Sequence, residues 1–393
     1  MSTTHTSWGR NAIALCASTL ALFTCWNWTS RACTAFYSKA GGEALVGNNE
    51  DGRDPDTKVW FVPRTVGKYG RLYVGYEDLS PQGGVNEAGL WFDGFGLPTK
   101  EVKSSVGEIY PGDLQDKLMA ECATVAEVLE ALKHYSRAPM TRYQWMFADR
   151  TGASVIIEGD AVVPMQGQYQ IVTNFRQSEH PGGQGYDCGR YRIADAMLKA
   201  SPESSVGNFR RILAATHSEG EDVTLYSYIA DLRRGQVYFY HFHNFENAAV
   251  LDLGKELAKG RHVYSLPDLF PKTDAAEGFN YRARSEWAKR KAARLFAGLD
   301  ASDYPHYCGR YVVVSPEILA RQTITITTGA NQLYFQFNDG GKWEVLPDSP
   351  SSFFLLSLGG LEFSCRFHRG AKGSPTTLLM DGNGLRVTAR RVD

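Results

Sequence analysis

An apolar segment followed by small residues and a cysteine constrains this chain more than any other feature of its sequence. Residues 11–25 follow Arg10 and form an apolar run that is short for a bilayer-spanning helix. Residues 30–32 then supply small side chains at the positions that a signal peptidase reads. We therefore predict that residues 1–32 are a signal peptide and that the mature chain begins at Cys33.

Export to the periplasm or the extracellular space follows from this prediction. A retained N-terminal anchor is one alternative, and a lipid-modified cysteine is another. Arg31 disfavours lipidation, because it places a charge where a lipidation signal has a small or apolar residue. After processing, we expect no membrane span.

A cysteine at a new N-terminus carries its own base. Its thiol is a nucleophile, and its α-amino group, with an ordinary pKa of about 8, can accept the thiol proton near neutral pH. The chain has seven cysteines, and removal of the signal peptide leaves an odd number, namely Cys33, Cys122, Cys188, Cys308 and Cys365. An odd count in an exported protein indicates a free thiol, for which Cys33 is the natural candidate. The alternative is that all five are reduced residues without a reactive role.

Length and charge narrow the classes of partner. A chain of 393 residues is too long for one typical domain, so we expect two. The formal net charge of -1 provides no field that would attract nucleic acid or an anionic membrane. Small or neutral molecules are the expected partners, and a homo-oligomer stays open.

The first part of the chain combines strand and helix patterns. Residues 113–135 have apolar side chains close to helical spacing, with Asp113 as a candidate N-cap, and a helix pair is predicted after Arg190. Short apolar runs broken by turn residues predict antiparallel strands at 44–47, 59–62, 71–74, 89–92, 144–148, 154–158, 169–172, 224–231 and 237–242. These patterns indicate a mixed α and β domain.

The C-terminal part has a different pattern. After a helix-like stretch at 282–299 and a predicted linker at 301–305, short alternating runs are joined by turn residues. They lie at 311–314, 323–328, 332–337, 342–346, 352–356, 361–368, 376–380 and 385–390. This pattern is typical of a small closed β-barrel.

An ordered set of motifs resembles the linear amide C–N hydrolases, a family that includes choloylglycine hydrolase and penicillin V acylase. The motifs are Cys33-Thr34, Gly47-Asn48-Asn49-Glu50-Asp51, Gly84-Val85-Asn86-Glu87-Ala88-Gly89-Leu90, Val172-Thr173-Asn174, Arg190 and Thr224-Leu225-Tyr226-Ser227. Each string is weak by itself, whereas their order beside a processed cysteine is specific.

The resemblance implies an α+β fold, a four-layer αββα sandwich of the N-terminal nucleophile hydrolases, followed by the all-β barrel. It implies an amidohydrolase domain at 33–300 and an accessory domain at 307–393. Tyr307-Cys308-Gly309-Arg310-Tyr311 resembles a lipocalin-like barrel appended to some bacterial serine hydrolases, with no catalytic residue implied.

The same resemblance assigns roles to five residues. Cys33 is the nucleophile and base, and Asp51 orients the α-ammonium or the thiol. Asn174 donates its side-chain amide to the oxyanion, and the backbone N–H of Gly96 is the second donor. Arg190 sets the electrostatics near the thiol, although Arg192 is close enough in sequence to be confused with it.

At two positions the sequence departs from the family pattern, and these departures leave the substrate class open. Asn48 stands where the bile-salt and penicillin branches have an arginine, and Gly96 lacks the side chain found there in relatives.

His241 and His243 alternate along a predicted strand, so both would lie on one face. Such a pair can bind zinc, but without a third ligand nearby in sequence a polar strand face is the favoured interpretation.

These observations predict an enzyme that cleaves a linear amide through a thioester, or an acyltransferase on the same scaffold. A secreted binding protein with an inactive hydrolase-like core is the alternative from another class. The expected partner is a small-molecule amide, and nearby aromatic residues are compatible with an apolar acyl group. No cofactor or metal is expected.

Overall fold

The computed structural model describes residues 33–392 apart from residues 103–105, 111, 202, 296–298, 317–318, 339, 350, 361, 371–374 and 383–384. The predicted signal peptide, residues 1–32, lies outside the described residues. No helix in the described part of the chain is long and apolar enough to cross a bilayer.

The first part of the chain forms two stacked antiparallel sheets. One sheet has the strand order β10-β1-β2-β11-β12-β13, and the other has the order β14-β3-β4-β5-β6-β7-β8-β9. The strands are β1 (Thr34–Ser38), β2 (Leu45–Gly52), β3 (Thr57–Val62), β4 (Arg71–Tyr76), β5 (Pro81–Asn86), β6 (Leu90–Gly96), β7 (Tyr143–Asp149), β8 (Ser154–Ile157), β9 (Val162–Pro164), β10 (Tyr169–Val172), β11 (Val223–Asp231), β12 (Gln236–His241), β13 (Asn244–Asp252) and β14 (His262–Ser265).

Helices cover the outer face of each sheet. The helices are α1 (Leu114–Glu121), α2 (Val125–Ala131), α3 (Gly189–Ala200), α4 (Val206–Thr216), α5 (Leu253–Ala258) and α6 (Asp274–Arg294). The first four cover the outer faces, whereas Leu253 of α5 and Phe279 of α6 pack on the core between the sheets. Side chains of α3 and α4 pack on the six-stranded sheet, and those of α1 and α2 pack on the eight-stranded sheet. A third apolar core lies between the sheets, which gives four layers in the order αββα.

The period-two alternation of the strands accounts for this layering. In β1, Phe36 faces α3 and α4, whereas Ala35 and Tyr37 face the second sheet. In β6, Phe92 faces α1 and α2, whereas Trp91 faces the first sheet. The sandwich predicted from the motifs is therefore confirmed, with the central strands of both sheets buried on both faces.

The C-terminal part closes into an eight-stranded antiparallel barrel, as the sequence predicted. Its strands are β15 (Gly309–Ser315), β16 (Thr323–Gly329), β17 (Gln332–Phe337), β18 (Lys342–Pro347), β19 (Ser352–Leu356), β20 (Glu362–Arg369), β21 (Pro375–Gly382) and β22 (Leu385–Arg391). Pairing of β15 with β22 closes the ring.

Helix α6 joins the sandwich to the barrel. Near its start, Phe279 packs on Phe242 of the sandwich, with ring centroids 5.5 Å apart. Further along, the indole N–H of Trp287 donates to the carbonyl of Leu356 in the barrel at 2.9 Å. The proposed domain limits stay predictions, but a cut near residue 300 would leave the barrel-facing side of α6 without its partner.

Two local predictions are wrong. The stretch 113–135 forms two helices, because Thr124 caps the N-terminus of α2 and the chain is extended at Cys122. Asp113 does cap α1, as predicted. The supposed linker is a 3₁₀ helix at Ala301–His306, since Tyr304 is buried in the barrel core.

We predict that Gly83→Ala destabilises the sandwich by about 1–3 kcal/mol, because overpacking a filled core has this effect. A Cβ at Gly83 would lie 2.2 Å from Asp93 Oδ2 and 2.7 Å from the Tyr228 hydroxyl. Gly94→Ala is the matched control, since its nearest neighbour would be the Gln82 carbonyl at 3.6 Å. Urea midpoints measure both effects. Equal midpoints for the two variants would show that the sandwich accommodates a Cβ at Gly83 without loss of stability.

Candidate active site

Cys33 lies directly before β1 at one end of the six-stranded sheet. Its side chain is 2% exposed, and its Sγ lies 4.0 Å from the Asp51 carbonyl oxygen. Burial raises the pKa of the Cys33 thiol well above its ordinary value, and the nearby Glu50 and Asp51 carboxylates raise it further. A base is therefore needed to remove the thiol proton near neutral pH.

Asp51 ends up beside Cys33 because β2 pairs with both β1 and β11. An irregularity in β11 places Thr224 opposite Asp51, and the Thr224 hydroxyl donates a hydrogen bond to Asp51 Oδ1. Asp51 Oδ2 is buried and accepts no hydrogen bond among the described residues. Burial raises the pKa of Asp51, while Thr224 and Arg190 act in the opposite direction.

Arg190 connects the parts of the site. From the first turn of α3, its Nη1 donates to the Cys33 carbonyl at 2.6 Å and to the Thr34 hydroxyl at 2.7 Å. Its Nη2 donates to Asn174 Oδ1 at 3.1 Å, and its Nη1 lies 3.9 Å from Asp51 Oδ2. The neighbouring Arg192 instead pairs with Asp187 on the surface, so the structure distinguishes the two arginines.

Asn174 follows β10 and is 5% exposed. Its Nδ2 donates to the Gly96 carbonyl at 3.0 Å, while Arg190 fixes its Oδ1, so the orientation of the amide is set from both sides. The contact with Gly96 uses the carbonyl, whereas the sequence analysis emphasised the N–H of that residue. The Asn174 amide has a second N–H group that can donate to a ligand.

The structure thus brings the five predicted site residues together from five different segments. A thiol, a carboxylate, a guanidinium and an amide donor surround the start of β1. Such a set can activate a nucleophile and stabilise a developing oxyanion. The catalytic roles of these residues stay predictions.

A buried acidic cluster beside the thiol was missed by the sequence analysis. Asp93 Oδ2 accepts a hydrogen bond of 2.8 Å from the Tyr228 hydroxyl, which in turn accepts one of 2.8 Å from the Trp91 indole. Glu50 accepts a hydrogen bond of 3.3 Å from the Tyr76 hydroxyl. Period-two alternation places Glu50 of β2 and Asp93 of β6 on the same strand faces as core residues. That alternation is the sequence signal that could have identified the acidic cluster.

Asn48 shares the inner face of β2 with Glu50. It is fully buried, and neither its amide nitrogen nor its amide oxygen has a hydrogen-bond partner among the described residues. A buried unpaired amide is costly, so this position favours a bound polar group or an ordered water. Together with the buried Glu50 and Asp93, Asn48 makes this region between the sheets polar and acidic.

His241 and His243 do not share one strand face, so the prediction from their alternation is wrong. β12 ends at His241, and Phe242 has a positive φ of 50° in the turn that follows. His241 stacks on Phe270 with centroids 5.6 Å apart, whereas His243 lies 4.6 Å from the ring of His217. The turn separates the two rings.

The five cysteines of the described chain are all free. Cys122 and Cys365 are buried in apolar surroundings, which raises the pKa of Cys122 to about 11 and that of Cys365 to about 12. Among these thiols, Cys33 is the one at the cluster of Asp51, Arg190 and Asn174.

No protein-family model matches the chain, and no curated protein sequence matches it. Solved structures similar to it include a variant of conjugated bile acid hydrolase from Clostridium perfringens, with TM-score 0.48, 21% identity and coverage of 62% of this chain and 99% of that protein. Penicillin V acylase from Agrobacterium tumefaciens has TM-score 0.45, 19% identity and coverage of 59% and 90%.

We predict that Asp93→Asn reduces the loss of stability that accompanies rising pH. Burial and the Glu50 charge raise the pKa of Asp93 well above its ordinary value, so the folded chain holds a proton that the unfolded chain releases above about pH 4. Unfolding free energy should then fall by about 1.4 kcal/mol per pH unit from there through the raised pKa. Asparagine removes this slope and can still accept from Tyr228.

Urea unfolding at a series of pH values from about 4 to about 8 measures the slope. Asp187→Asn is the control, because that carboxylate is 90% exposed. An unchanged slope in Asp93→Asn would assign the retained proton to another buried group, with Asp51 the next candidate.

Proposed function

We propose that the mature protein is an exported N-terminal cysteine hydrolase that cleaves a linear amide C–N bond through a thioester. The observation that carries the proposal is Asp51 Oδ2, which is buried and has no hydrogen-bond donor among the described residues. It lies 3.9 Å from Arg190 Nη1, the same nitrogen that donates to the Cys33 carbonyl at 2.6 Å. An α-ammonium group released at Cys33 is a donor of the right charge for this oxygen.

Electrostatics support the need for such a group. Burial and the surrounding carboxylates raise the pKa of the Cys33 thiol, so an unassisted thiol would stay protonated. An adjacent α-amine accepts the proton, and the resulting α-ammonium stabilises the thiolate. Asp51 and the carbonyl-bound Arg190 would hold Cys33 in place during this transfer.

The reaction proceeds in two halves. The thiolate attacks the amide carbonyl carbon, and the negative charge on the tetrahedral oxygen is stabilised by the Asn174 amide. The α-ammonium then protonates the departing nitrogen as the C–N bond breaks, which leaves a thioester on Cys33. In the second half, the α-amine takes a proton from water, which attacks the thioester and releases the acid.

An amine that replaces water in the second half gives acyl transfer, so the acyltransferase alternative uses the same residues. The secreted binding protein remains the alternative from another class.

The surroundings of the thiol restrict the charge of the substrate, because Asn48, Glu50 and Asp93 form an acidic and polar inner face there. This environment disfavours an anionic group beside the reacting bond.

We predict that Cys33→Ala abolishes turnover of every amide that the wild-type protein cleaves, because it removes the nucleophile. The substrate panel contains uncharged N-acyl amines as well as N-acyl amino acids, penicillin V and conjugated bile acids, which carry an anionic group near the amide, with amine release as the readout. Cys122→Ala is the matched control, since Cys122 is also a buried free thiol but packs against α1 and α2. Full turnover by purified Cys33→Ala would exclude the proposal.

We further predict that a chain retaining Ala32 folds but has no activity. Its Cys33 nitrogen would belong to an amide, which has no proton affinity near neutral pH. Mass spectrometry must confirm that Ala32 persists, because self-cleavage would restore the amine. The matched control is the same chain cut after Ala32, which mass spectrometry should show to begin at Cys33. Undiminished activity with Ala32 in place would require another base, with Asp51 the first residue to examine.

A further inference from the structure

Three potential metal ligands meet at one end of the six-stranded sheet, outside the cluster around Cys33. His217 follows the last residue of α4, Glu219 lies in the loop before β11, and His243 lies in the turn between β12 and β13. One ligand atom from each side chain falls within 4.8 Å of the other two. The three residues come from separate segments, so their meeting is a product of the fold.

Both histidines present the same ring nitrogen to this point. His217 Nδ1 lies 2.6 Å from the carbonyl of Ala214, so Nδ1 carries a hydrogen, and in the neutral ring Nε2 carries a lone pair. His243 Nε2 is buried without a hydrogen-bond partner among the described residues, so it is available to bind a ligand.

Backbone carbonyls that fix Nδ1–H are the usual outer partners of metal-bound histidines. Here His217 has this arrangement, and the third member of the cluster is a carboxylate. His217 Nε2 lies 2.9 Å from Glu219 Oε1, a distance at which two acceptors repel unless a proton or a metal ion lies between them.

We propose that His217, Glu219 and His243 form a zinc site with two nitrogen ligands and one carboxylate ligand. This set matches the preferences of Zn²⁺, whereas Mg²⁺ and Ca²⁺ prefer sites made of oxygen ligands. The Glu219 side chain is 74% exposed, so an ion and a coordinating water can reach the site from solvent. The proposal concerns these residues alone and does not depend on the proposed function.

The bound ion would fix the loop that supports Asp51. Ser218, next to His217, donates its N–H to the Thr224 hydroxyl at 2.8 Å, and the Thr224 N–H donates to the Ser218 carbonyl at 2.9 Å. The same Thr224 hydroxyl donates to Asp51. The loop that contains His217 and Glu219 is thus linked to the Asp51 carboxylate through Ser218 and the Thr224 hydroxyl.

The test uses the untagged full-length mature protein, freed of metal with a chelator and then titrated with Zn²⁺ or Co²⁺. We expect about one ion per chain and a Co²⁺ absorption spectrum typical of nitrogen and oxygen ligands, without thiolate charge-transfer bands. Zn²⁺ should also raise Tm, because an ion that binds the folded state stabilises it.

Glu219→Ala and His243→Ala should each weaken Zn²⁺ binding by about 100-fold or more, since loss of an outer partner alone weakens binding 10- to 100-fold. Glu219 is exposed, so its variant keeps the test valid if His243→Ala fails to fold. His241→Ala is the matched control, because its ring stacks on Phe270 and belongs to no such cluster. Cys33→Ala is the second control.

Unchanged binding in His241→Ala and Cys33→Ala, together with loss in the ligand variants, supports the site. No Zn²⁺ binding by the wild-type protein would overturn it and leave an imidazolium–carboxylate pair. Thiolate bands that vanish in Cys33→Ala would place the metal at the thiol and would overturn it as well. Equal weakening in His241→Ala would show that binding is nonspecific.

Discussion

The guanidinium of Arg190 is the interaction on which the arrangement around Cys33 depends. It joins the start of β1, the end of β10 and the first turn of α3 through hydrogen bonds to Cys33, Thr34 and Asn174. Hydrogen bonds from a charged donor contribute about 1.5–3 kcal/mol each, roughly twice the value for neutral pairs. These bonds act beside the pairing of β1 with β10, which already brings the two segments together, and they orient the Cys33 backbone and the Asn174 amide.

The two faces of the six-stranded sheet have different roles. On the helix side, Arg190 supplies positive charge to Asp51. On the inner side, Glu50 and Asp93 lie between the sheets and are partnered by tyrosine hydroxyls. Burial and the neighbouring Glu50 charge raise the pKa of Asp93. Burial, Glu50, Asp51 and Asp93 likewise raise the pKa of the Cys33 thiol at the end of the sheet.

Much of this fold could be predicted from the sequence, because alternation and turn residues mark strands that are amphipathic or bounded by glycine. All eight barrel strands were predicted within a few residues, and the five site residues converge as the motifs indicated. What failed depends on contacts distant in sequence. Beside the Thr124 cap, the break at Cys122 is held by the Asn86 amide, which donates to the Cys122 carbonyl at 2.8 Å. Tyr304 is buried because it packs in the barrel core. His217 and His243 are 26 positions apart by their residue numbers, and no local pattern shows that one turn brings them together.

One buried carboxylate oxygen of the site, Asp51 Oδ2, has no hydrogen-bond partner among the described residues. Most buried polar atoms are paired, since leaving one unpaired costs about 1–3 kcal/mol. Asp51 Oδ2 is an exception at the one place where proteolysis would create a new cationic donor, and Thr224 already occupies the other oxygen of the same carboxylate. Under the proposed processing, the α-ammonium group at Cys33 would be a charged donor for this oxygen. The same cut would then both free the proposed base and provide a partner for a carboxylate oxygen that has none among the described residues.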